Sequence, residues 1–181
     1  MKRPSLRALV AIVVVLCICF ALTYFVVNRP HDSSKSAAKS QLSVSEENVF
    51  TNLEGVPISF TEYEGKVRVV NLWASWTPFS IEELKNLELL AAEYATKNVV
   101  VLGINRKEPK EQAIRFLSEL PQFSHIIFVI DLSDAFYKSI GGYAMPETIF
   151  YDTRGNITFH QRGEMTFEEM KIRVEEARAV E

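Results

Sequence analysis

The chain has 181 residues, of which 48% are hydrophobic, so it is long enough for one globular domain with accessory segments and too apolar to be disordered. Its formal net charge is −3, and acidic and basic residues are interspersed along it. Because nucleic-acid binding requires a clustered basic surface, we expect no nucleic acid among its partners.

An uncharged apolar run occupies residues 8–27, directly after the basic residues Lys2, Arg3 and Arg7. A helix of that length spans roughly 30 Å, the thickness of the hydrocarbon core of a bilayer, whereas a buried core helix normally carries a polar face. The run ends without the small-x-small pattern of a cleavage site, which favours an uncleaved anchor. We therefore predict a cytoplasmic segment at 1–7 and a transmembrane signal-anchor at 8–27 that contacts membrane lipid.

Both cysteines of the chain, Cys17 and Cys19, lie inside this apolar run, so residues 28–181 contain no thiol. Two residues apart on a helix, their side chains point in different directions, which is poor geometry for a disulfide between them. They are interpreted as small apolar packing residues, with acylation or an intermolecular bridge as alternatives. Residues 28–46 are polar and rich in serine, which predicts a flexible tether.

Extended and helical patterns alternate beyond the tether, which indicates an α/β domain at 47–181. In chain order, we predict strands at 58–60 and 67–73, a helix ending near 94, a strand at 99–105, a helix at 110–120, a strand at 126–130, a short helix at 134–140, strands at 148–151 and 157–160, and a final helix from Thr166. The turn-rich pentad 152–156 predicts an antiparallel hairpin, and Thr166 with Glu169 has the spacing of a capping box.

The helix that follows the strand at 67–73 has an apolar stripe at three- and four-residue spacing. The stripe predicts its buried face, and charged residues occupy the positions between. The apolar positions are Ile81, Leu84, Leu87, Leu90, Ala91 and Tyr94, and the charged positions, predicted to face solvent, are Glu82, Glu83, Lys85 and Glu93.

Residues 69–80 read VVNLWASWTPFS, and residues 143–152 read YAMPETIFYD with Gly155 after them. The first segment resembles the active-site strand and turn of the TlpA/ResA and CcmG/DsbE thioredoxin-like proteins, whose pattern there is V-N-x-W-A-x-W-C-x-x-C. The second resembles their cis-proline loop and hairpin. Its Pro-Glu-Thr triplet resembles the sequence at this place in the CcmG/DsbE proteins, the cytochrome c maturation group among them. Together with the stretch at 101–105, the resemblance covers about residues 55–175.

The resemblance implies a thioredoxin fold, a central mixed sheet flanked by helices, here preceded by one transmembrane helix. It also implies that the thioredoxin-like domain lies on the extracytoplasmic, periplasmic side of the cytoplasmic membrane, as a single-pass protein. Pro146 is expected to have a cis peptide bond, since the family places a cis proline opposite the active-site turn.

Thr77 and Ser80 stand where the resemblance places the two cysteines of the redox centre. A thiol at a helix N-terminus becomes a reactive thiolate, whereas a threonine hydroxyl stays protonated at neutral pH and forms no disulfide. We therefore expect no catalytic residue and no ordinary thiol–disulfide exchange. Thr77 followed by Pro78 instead predicts an N-cap with proline at the first helical position. Ser80 as a nucleophile would need a base, and none of the histidines (His31, His125 and His160) lies in a motif that supplies one.

The resemblance further implies a groove in which backbone groups of the cis-proline loop pair with an extended peptide. Trp73 is expected in the core, and the acidic residue after the proline, which the resemblance places near the dithiol, is interpreted as a relic. The alternative is that the loop only preserves the fold. The predicted groove residues are Trp76, Pro78, Phe79, Met145, Pro146 and Glu147.

Three functions follow from these observations. The first is a membrane-tethered, redox-inactive domain that binds an extracytoplasmic polypeptide. The second is a thiol–disulfide oxidoreductase of cytochrome c maturation or envelope redox homeostasis, against which Thr77 and Ser80 argue. The third is a structural subunit of an envelope complex. Neither a metal nor a cofactor is expected, because the chain carries no motif for one.

Overall fold

The structure, a computed structural model, describes residues 49–180. The predicted segment at 1–7, the anchor at 8–27 with its two cysteines and the tether at 28–46 lie outside the described residues. None of the helices between residues 49 and 180 has the length and hydropathy that a bilayer crossing requires.

The described residues alternate between strands and helices as the sequence predicts. The elements are β1 (Val49–Asn52), β2 (Pro57–Ser59), a 3-10 helix (Phe60–Tyr63), β3 (Val67–Trp73), α1 (Phe79–Tyr94), β4 (Val99–Arg106), α2 (Lys110–Ser118), β5 (Ile127–Asp131), α3 (Ala135–Ser139), β6 (Glu147–Tyr151), β7 (Ile157–Arg162) and α4 (Phe167–Arg178).

One seven-stranded sheet has the order β2-β1-β5-β4-β3-β6-β7. β3, β4 and β5 pair in parallel, while the pairs β1–β2, β1–β5, β3–β6 and β6–β7 are antiparallel, so the sheet is mixed. Every residue of β3 is buried, because helices cover both of its faces and the strand is rich in valine. The predicted mixed sheet flanked by helices is confirmed.

Two apolar cores lie on opposite faces of this sheet. α1, α2 and α4 contribute to one core, which contains Trp73 between Phe116 and Phe128 at ring-centroid distances of 5.6 and 5.7 Å. The 3-10 helix and α3 contribute to the other, where Phe60 and Phe136 meet edge to face. The prediction that Trp73 belongs to the core is confirmed. β3 is packed on both faces up to the turn that follows it.

Two local predictions about chain reversal and helix start are confirmed. β6 and β7 form the hairpin, in which the Asp152 side chain accepts the N–H groups of Arg154 and Asn156, and Gly155 supplies the positive φ of 86°. Thr166 caps α4, with its hydroxyl accepting the Glu169 N–H and the Glu169 carboxylate accepting the Thr166 N–H. Both motifs depend only on neighbouring residues, which is why the sequence predicts them well.

Three predictions in the first half of the domain are corrected. β1 has no counterpart among the predicted strands, and Phe60 starts a 3-10 helix capped by Ser59 instead of ending a strand. Glu83, predicted to face solvent, is only 2% exposed. It shares its face of α1 with Ser80 and Leu87 because residues three and four apart lie on one side of a helix.

Candidate functional site

The turn between β3 and α1 is closed by hydrogen bonds of its own backbone. The Thr77 N–H donates to the Ala74 carbonyl at 3.3 Å, the Ser80 N–H donates to the Thr77 carbonyl at 3.3 Å, and the Ser80 hydroxyl accepts the Ala74 N–H at 3.4 Å. Thr77 is 4% exposed and Ser80 is fully buried. The two hydroxyl residues therefore lie at the start of α1, beneath the surface.

The predicted N-cap at Thr77 is wrong by one position. α1 begins at Phe79, and the capping position is taken by Pro78, whose φ of −65° and ψ of −26° are already helical. No side chain caps this helix start. Proline can hold the capping position because its ring fixes φ near the helical value, so the turn needs no hydroxyl cap.

The loop between α3 and β6 lies opposite this turn. Its Met145–Pro146 peptide bond is cis, which confirms the prediction for Pro146. Pro146 itself is buried, while Met145 is partly exposed. The loop is called the cis-proline loop below and comprises residues 141–146.

An open groove of about 420 Å³ separates the helix start from the cis-proline loop. Four of the predicted groove residues line it, namely Trp76, Pro78, Phe79 and Met145. Pro146, Glu147 and Ser80 are buried and do not line it. Arg106, Tyr137 and Tyr143 were missed by the sequence prediction. The lining residues are Trp76, Thr77, Pro78, Phe79, Arg106, Tyr137, Tyr143, Ala144 and Met145.

Three aromatic side chains stand at the edges of the groove. Trp76 is 60% exposed, Phe79 is 54% exposed and Tyr143 is 76% exposed. Large exposed aromatic groups that share one concave site are typical of an interaction surface. The predicted contrast between the exposed Trp76 and the buried Trp73 is confirmed.

The residue that precedes Trp76 is held by a buried carboxylate. Glu108, which is 3% exposed, accepts the Ser75 N–H at 2.8 Å and the Ser75 hydroxyl at 2.6 Å. Its remaining bonds come from Asn105 Nδ2 and Gln112 Nε2, each at 2.7 Å. Four neutral donors thus satisfy this carboxylate, and the backbone carrying Trp76 is fixed in position.

A second buried carboxylate holds the cis-proline loop. Glu147 Oε1 accepts the N–H groups of Tyr143 and Ala144 at 2.7 Å each, and its Oε2 lies 2.7 Å from His160 Nε2. Because Glu147 is fully buried, it supports the groove from behind and does not line it. Glu147 was predicted as a groove residue, but it does not line the groove and instead supports the loop that does.

The floor of the groove contains an arginine at the end of β4. Arg106 binds Asp134 with two hydrogen bonds, of 2.6 and 3.0 Å, and its guanidinium lies 3.4 Å from the centre of the Tyr137 ring. The hydrogen bond with Asp134 raises the pKa of Arg106 and lowers the pKa of Asp134. The Tyr137 hydroxyl donates to the Ala144 carbonyl at 3.1 Å, which links this floor to the cis-proline loop.

A third buried carboxylate lies one helical turn beyond Ser80. Glu83 accepts hydrogen bonds from Asn71 Nδ2 at 2.9 Å, the Thr148 hydroxyl at 2.5 Å and the Met165 N–H at 3.1 Å. Desolvation by burial raises its pKa to about 7 despite these bonds. It lies three positions after Ser80 on α1, behind the helix start.

The positions of Arg106, Glu108 and Glu83 in the sequence contain information that could have identified them as site residues. Arg106 is the last residue of the parallel strand β4 and Glu108 follows it by two positions, at the edge of the sheet where α/β proteins place their sites. Glu83 follows Ser80 by three positions on one helix. Within residues 49–180, no group of His, Cys, Asp and Glu side chains is arranged to hold a metal ion.

Comparison with known proteins identifies relatives of the chain. The family model described as Redoxin matches residues 35–179. The chain is 27% identical to the thiol-disulfide oxidoreductase ResA of Geobacillus thermodenitrificans over 175 residues, which cover 97% of this chain and 98% of the relative. It is 34% identical over 99 residues to the thiol:disulfide interchange protein DsbE of Pseudomonas aeruginosa, covering 53% of this chain and 51% of that protein.

Solved structures share the fold at lower identity. A secreted disulfide oxidoreductase of Mycobacterium tuberculosis has a TM-score of 0.62 at 22% identity, covering 77% of this chain and 98% of that one. StoA of Bacillus subtilis has a TM-score of 0.57 at 22% identity, covering 68% of this chain and 92% of that one. Both similarities support the thioredoxin-type architecture of residues 49–180.

Proposed function

The chain belongs to the redoxin family, with ResA and DsbE proteins among its relatives, and we propose that it is a redox-inactive binding module for an extended extracytoplasmic polypeptide. The observation that carries the proposal is the groove itself. Trp76, Phe79 and Tyr143 are exposed around it, while the positions at the helix start carry Thr77 and Ser80.

The chemistry at the helix start supports a function without electron transfer. A thiol–disulfide exchange needs a thiolate that attacks and a second sulfur that resolves the mixed disulfide. Residues 28–181 contain no cysteine, and the resemblance places the two sulfurs of the family at Thr77 and Ser80. A hydroxyl at either position stays protonated at neutral pH and stores no electrons.

The groove offers favourable free energy for binding a polypeptide. Burying an exposed aromatic side chain at a contact contributes about 1 kcal/mol or more, and three such side chains are available. Glu108 and Glu147 already fix the backbone on both sides of the groove, so little conformational entropy is lost when a ligand binds.

The proposal includes a membrane anchor at 8–27 and a tether at 28–46, which would hold the groove on the extracytoplasmic side of the cytoplasmic membrane. Its support is the uncharged run of residues 8–27 preceded by basic residues. Carbonate extraction of membranes that contain the full-length protein is expected to leave it in the pellet. Release of the intact protein into the supernatant would contradict the anchor.

An oxidoreductase function is the second candidate, because the similarity to ResA extends over 97% of this chain. The two candidates differ in a turnover assay. A binding module leaves the rate of insulin reduction by dithiothreitol at the reagent blank, whereas an oxidoreductase raises it. A rate above the blank that grows with protein concentration would favour the oxidoreductase.

Binding is tested directly with a polypeptide that cannot react. We expect the full-length protein in detergent micelles to bind a fluorescent insulin B chain whose cysteines are carboxamidomethylated, measured by anisotropy. Replacing Trp76 and Phe79 together with alanine should weaken this binding by at least about tenfold, since each aromatic contributes about 1 kcal/mol or more. The circular dichroism spectrum should stay close to that of the wild type.

A matched control is available on α4. Ile172 is 55% exposed, similar to Phe79 at 54%, and it does not line the groove. Ile172→Ala should therefore leave the binding unchanged. Equal affinities of the wild type, the Trp76/Phe79 variant and the Ile172 variant would contradict the groove as the binding site and would favour the structural-subunit hypothesis.

A further inference from the structure

The residues that line the groove include one charged side chain among the described residues, that of Arg106. Its Nε and Nη2 atoms donate to Asp134, whereas Nη1 has no hydrogen-bond partner within residues 49–180. Nη1 is not enclosed by protein, and the side chain of Arg106 is 21% exposed. An arginine with unused N–H groups on Nη1 therefore lines a groove whose other walls are largely apolar.

From this arrangement we propose that the groove selects a polypeptide carrying a carboxylate, which Arg106 binds at the groove floor between apolar flanking residues. The inference rests on the proposed function, because it names the class of polypeptide that the same groove takes. A carboxylate is the fitting ligand because a guanidinium donates strong, charge-assisted hydrogen bonds to it.

The guanidinium is held in place before any ligand binds. Asp134 fixes one edge of it with two hydrogen bonds, and the ring of Tyr137 covers one face at 3.4 Å. Tyr137 is fixed in turn, by its bond to the Ala144 carbonyl and by Gly142, where an added Cβ would lie 2.4 Å from Cε2 of the ring. A fixed donor loses little freedom on binding and discriminates sharply between ligands.

The charges around Arg106 also favour an anionic ligand. Lys107 and Lys138 are exposed and lie close enough to Asp134 to lower its pKa, while Arg162 is exposed and stacks 4.8 Å from the centre of the Tyr143 ring. Asp134 offsets one of these positive charges, but its own side chain is only 5% exposed and is already bonded. Three exposed cationic side chains thus lie near Asp134 and Tyr143 at this end of the groove, while the exposed carboxylate of Glu82 lies beyond Phe79 on α1, so the field beside Arg106 attracts a carboxylate.

Apolar contacts define the flanks of this class of polypeptide. Trp76 and Phe79 stand on one side of the groove and Tyr143 and Met145 on the other. Apolar residues before and after the acidic residue would contact these side chains. The carboxylate can come from an internal glutamate or aspartate or from a polypeptide C-terminus, and peptides with blocked ends separate the two sources.

Three dye-labelled peptides of one length test the inference against full-length protein in detergent micelles, with dissociation constants measured by anisotropy. The first carries the dye as an amide on its N-terminus and is C-amidated, with the sequence Ser-Leu-Ala-Glu-Ala-Leu-Ser. The second replaces its glutamate by glutamine, and the third is the glutamine peptide with a free C-terminus. We expect the glutamate peptide to bind about tenfold more tightly than the amidated glutamine peptide, as one hydrogen bond between charged groups implies.

Substitutions assign the preference to Arg106. Arg106→Gln should abolish the roughly tenfold difference in affinity between the glutamate and glutamine peptides, because glutamine carries no charge for the carboxylate. The double variant Arg106→Gln/Asp134→Asn serves if the single variant unfolds, because it leaves no unpaired buried carboxylate. Arg178→Gln is the matched control, since Arg178 also pairs with a carboxylate, that of Glu175, but lies on α4 outside the groove.

The outcomes separate this inference from the proposed function. Equal affinities of the wild type for all three peptides would overturn the carboxylate preference and leave the binding function standing. Tighter binding of the glutamine peptide with a free C-terminus would support a carboxylate that comes from a chain end. Failure of the wild type to bind any of these peptides, and the alkylated insulin B chain as well, would overturn both.

Discussion

The two loops that border the groove are supported in the same way but by different neighbours. Glu108 holds the turn before α1 through the N–H and hydroxyl of Ser75, and its other donors are two side-chain amides. Glu147 holds the cis-proline loop through the N–H groups of Tyr143 and Ala144, and its partner on the other side is His160. In each case a buried carboxylate fixes the backbone that carries an exposed aromatic side chain.

Different residues thus fix the shape of the groove and provide the surface that a ligand would contact. The carboxylates are buried and fully bonded, so they determine the shape of the groove without touching what it binds. Trp76 and Tyr143 provide surface for a ligand but stabilise the loops little, since most of each side chain lies in solvent. The shape of the groove does not depend on the side chains at the helix start, because neither carboxylate bonds to Thr77 or Ser80.

The largest expected effect comes from removing either carboxylate. Glu108→Ala and Glu147→Ala should each lower the free energy of unfolding by about 4 kcal/mol, because several buried donors lose their acceptor. Urea unfolding, followed by tryptophan fluorescence, measures this loss, since Trp73 leaves the core on unfolding. Glu111→Ala is the control, since this exposed glutamate is one turn from Glu108 in the chain and should change stability by less than about 0.5 kcal/mol.

A loss below about 1 kcal/mol for one variant and not the other would break the comparison. It would show that one loop is held mainly by its apolar contacts. Similar large losses of unfolding free energy for both variants, together with unchanged stability of Trp76→Ala, would strengthen the conclusion that the two loops are supported alike.

The fold follows from the sequence where periodic pattern and family resemblance agree. The valine-rich strand β3, the Asp152–Asn156 turn and the Thr166 cap each depend on a few neighbouring residues. The groove follows only in part, because Trp76, Phe79 and Met145 lie in recognisable segments while Arg106 and Tyr137 reach it from separate elements. Such a meeting of distant residues is a property of the sheet order, which local patterns do not contain.

The glutamates illustrate the limit most clearly. Charged residues between apolar positions of a helix normally face solvent, as Glu82 does, and Glu83 was placed with them. Its burial depends on Asn71 and Thr148, two polar residues on neighbouring strands that provide donors. Nothing in the spacing of α1 reveals those partners, so the buried carboxylate emerges only from the tertiary structure.

The next largest effect is a pH dependence of the free energy of unfolding that comes from Glu83. Its pKa is raised from 4.5 to about 7 by burial, so the folded protein binds a proton there more tightly than the unfolded chain does. The resulting stability is present below pH 4.5 and is lost as the pH rises through about 7. The loss amounts to about 3 kcal/mol.

Urea unfolding across this pH range measures the effect as a difference between variants. Glu83→Gln cannot ionise, so its stability relative to the wild type should improve steadily from about pH 4.5 to about pH 7. Glu82→Gln, the exposed neighbour, should run parallel to the wild type. A constant difference between Glu83→Gln and the wild type over the whole range would show that the pKa of Glu83 is not raised.

A smaller effect is expected in the cis-proline loop. Gly142→Ala would place a Cβ 2.4 Å from the Tyr137 ring, which must then leave its present position against the guanidinium of Arg106. We expect a loss of about 2 kcal/mol in unfolding free energy, typical of an overpacked site. Unchanged stability together with unchanged glutamate-peptide binding would show that the loop yields and that the contact does not fix Tyr137.

The smallest effect on stability is expected at the exposed aromatics. Trp76→Ala and Tyr143→Ala should each change the unfolding free energy by less than about 0.5 kcal/mol, because their side chains are mostly in solvent. The same variants should weaken binding of the alkylated insulin B chain. A stability loss above about 1.5 kcal/mol would mean that these residues support the fold and would remove the distinction between support and contact.

The most direct test restores two sulfur atoms, because we propose that the helix start is the redox site of the family without its thiols. Thr77→Cys with Ser80→Cys places cysteines where the Ser80 N–H already donates to the Thr77 carbonyl at 3.3 Å, three positions apart on one face of the turn. On this proposal we expect a reversible disulfide under mild oxidation and insulin reduction above the reagent blank, with each single variant inactive because one thiol cannot resolve its own mixed disulfide. A folded double variant that closes no disulfide between these two positions would contradict it.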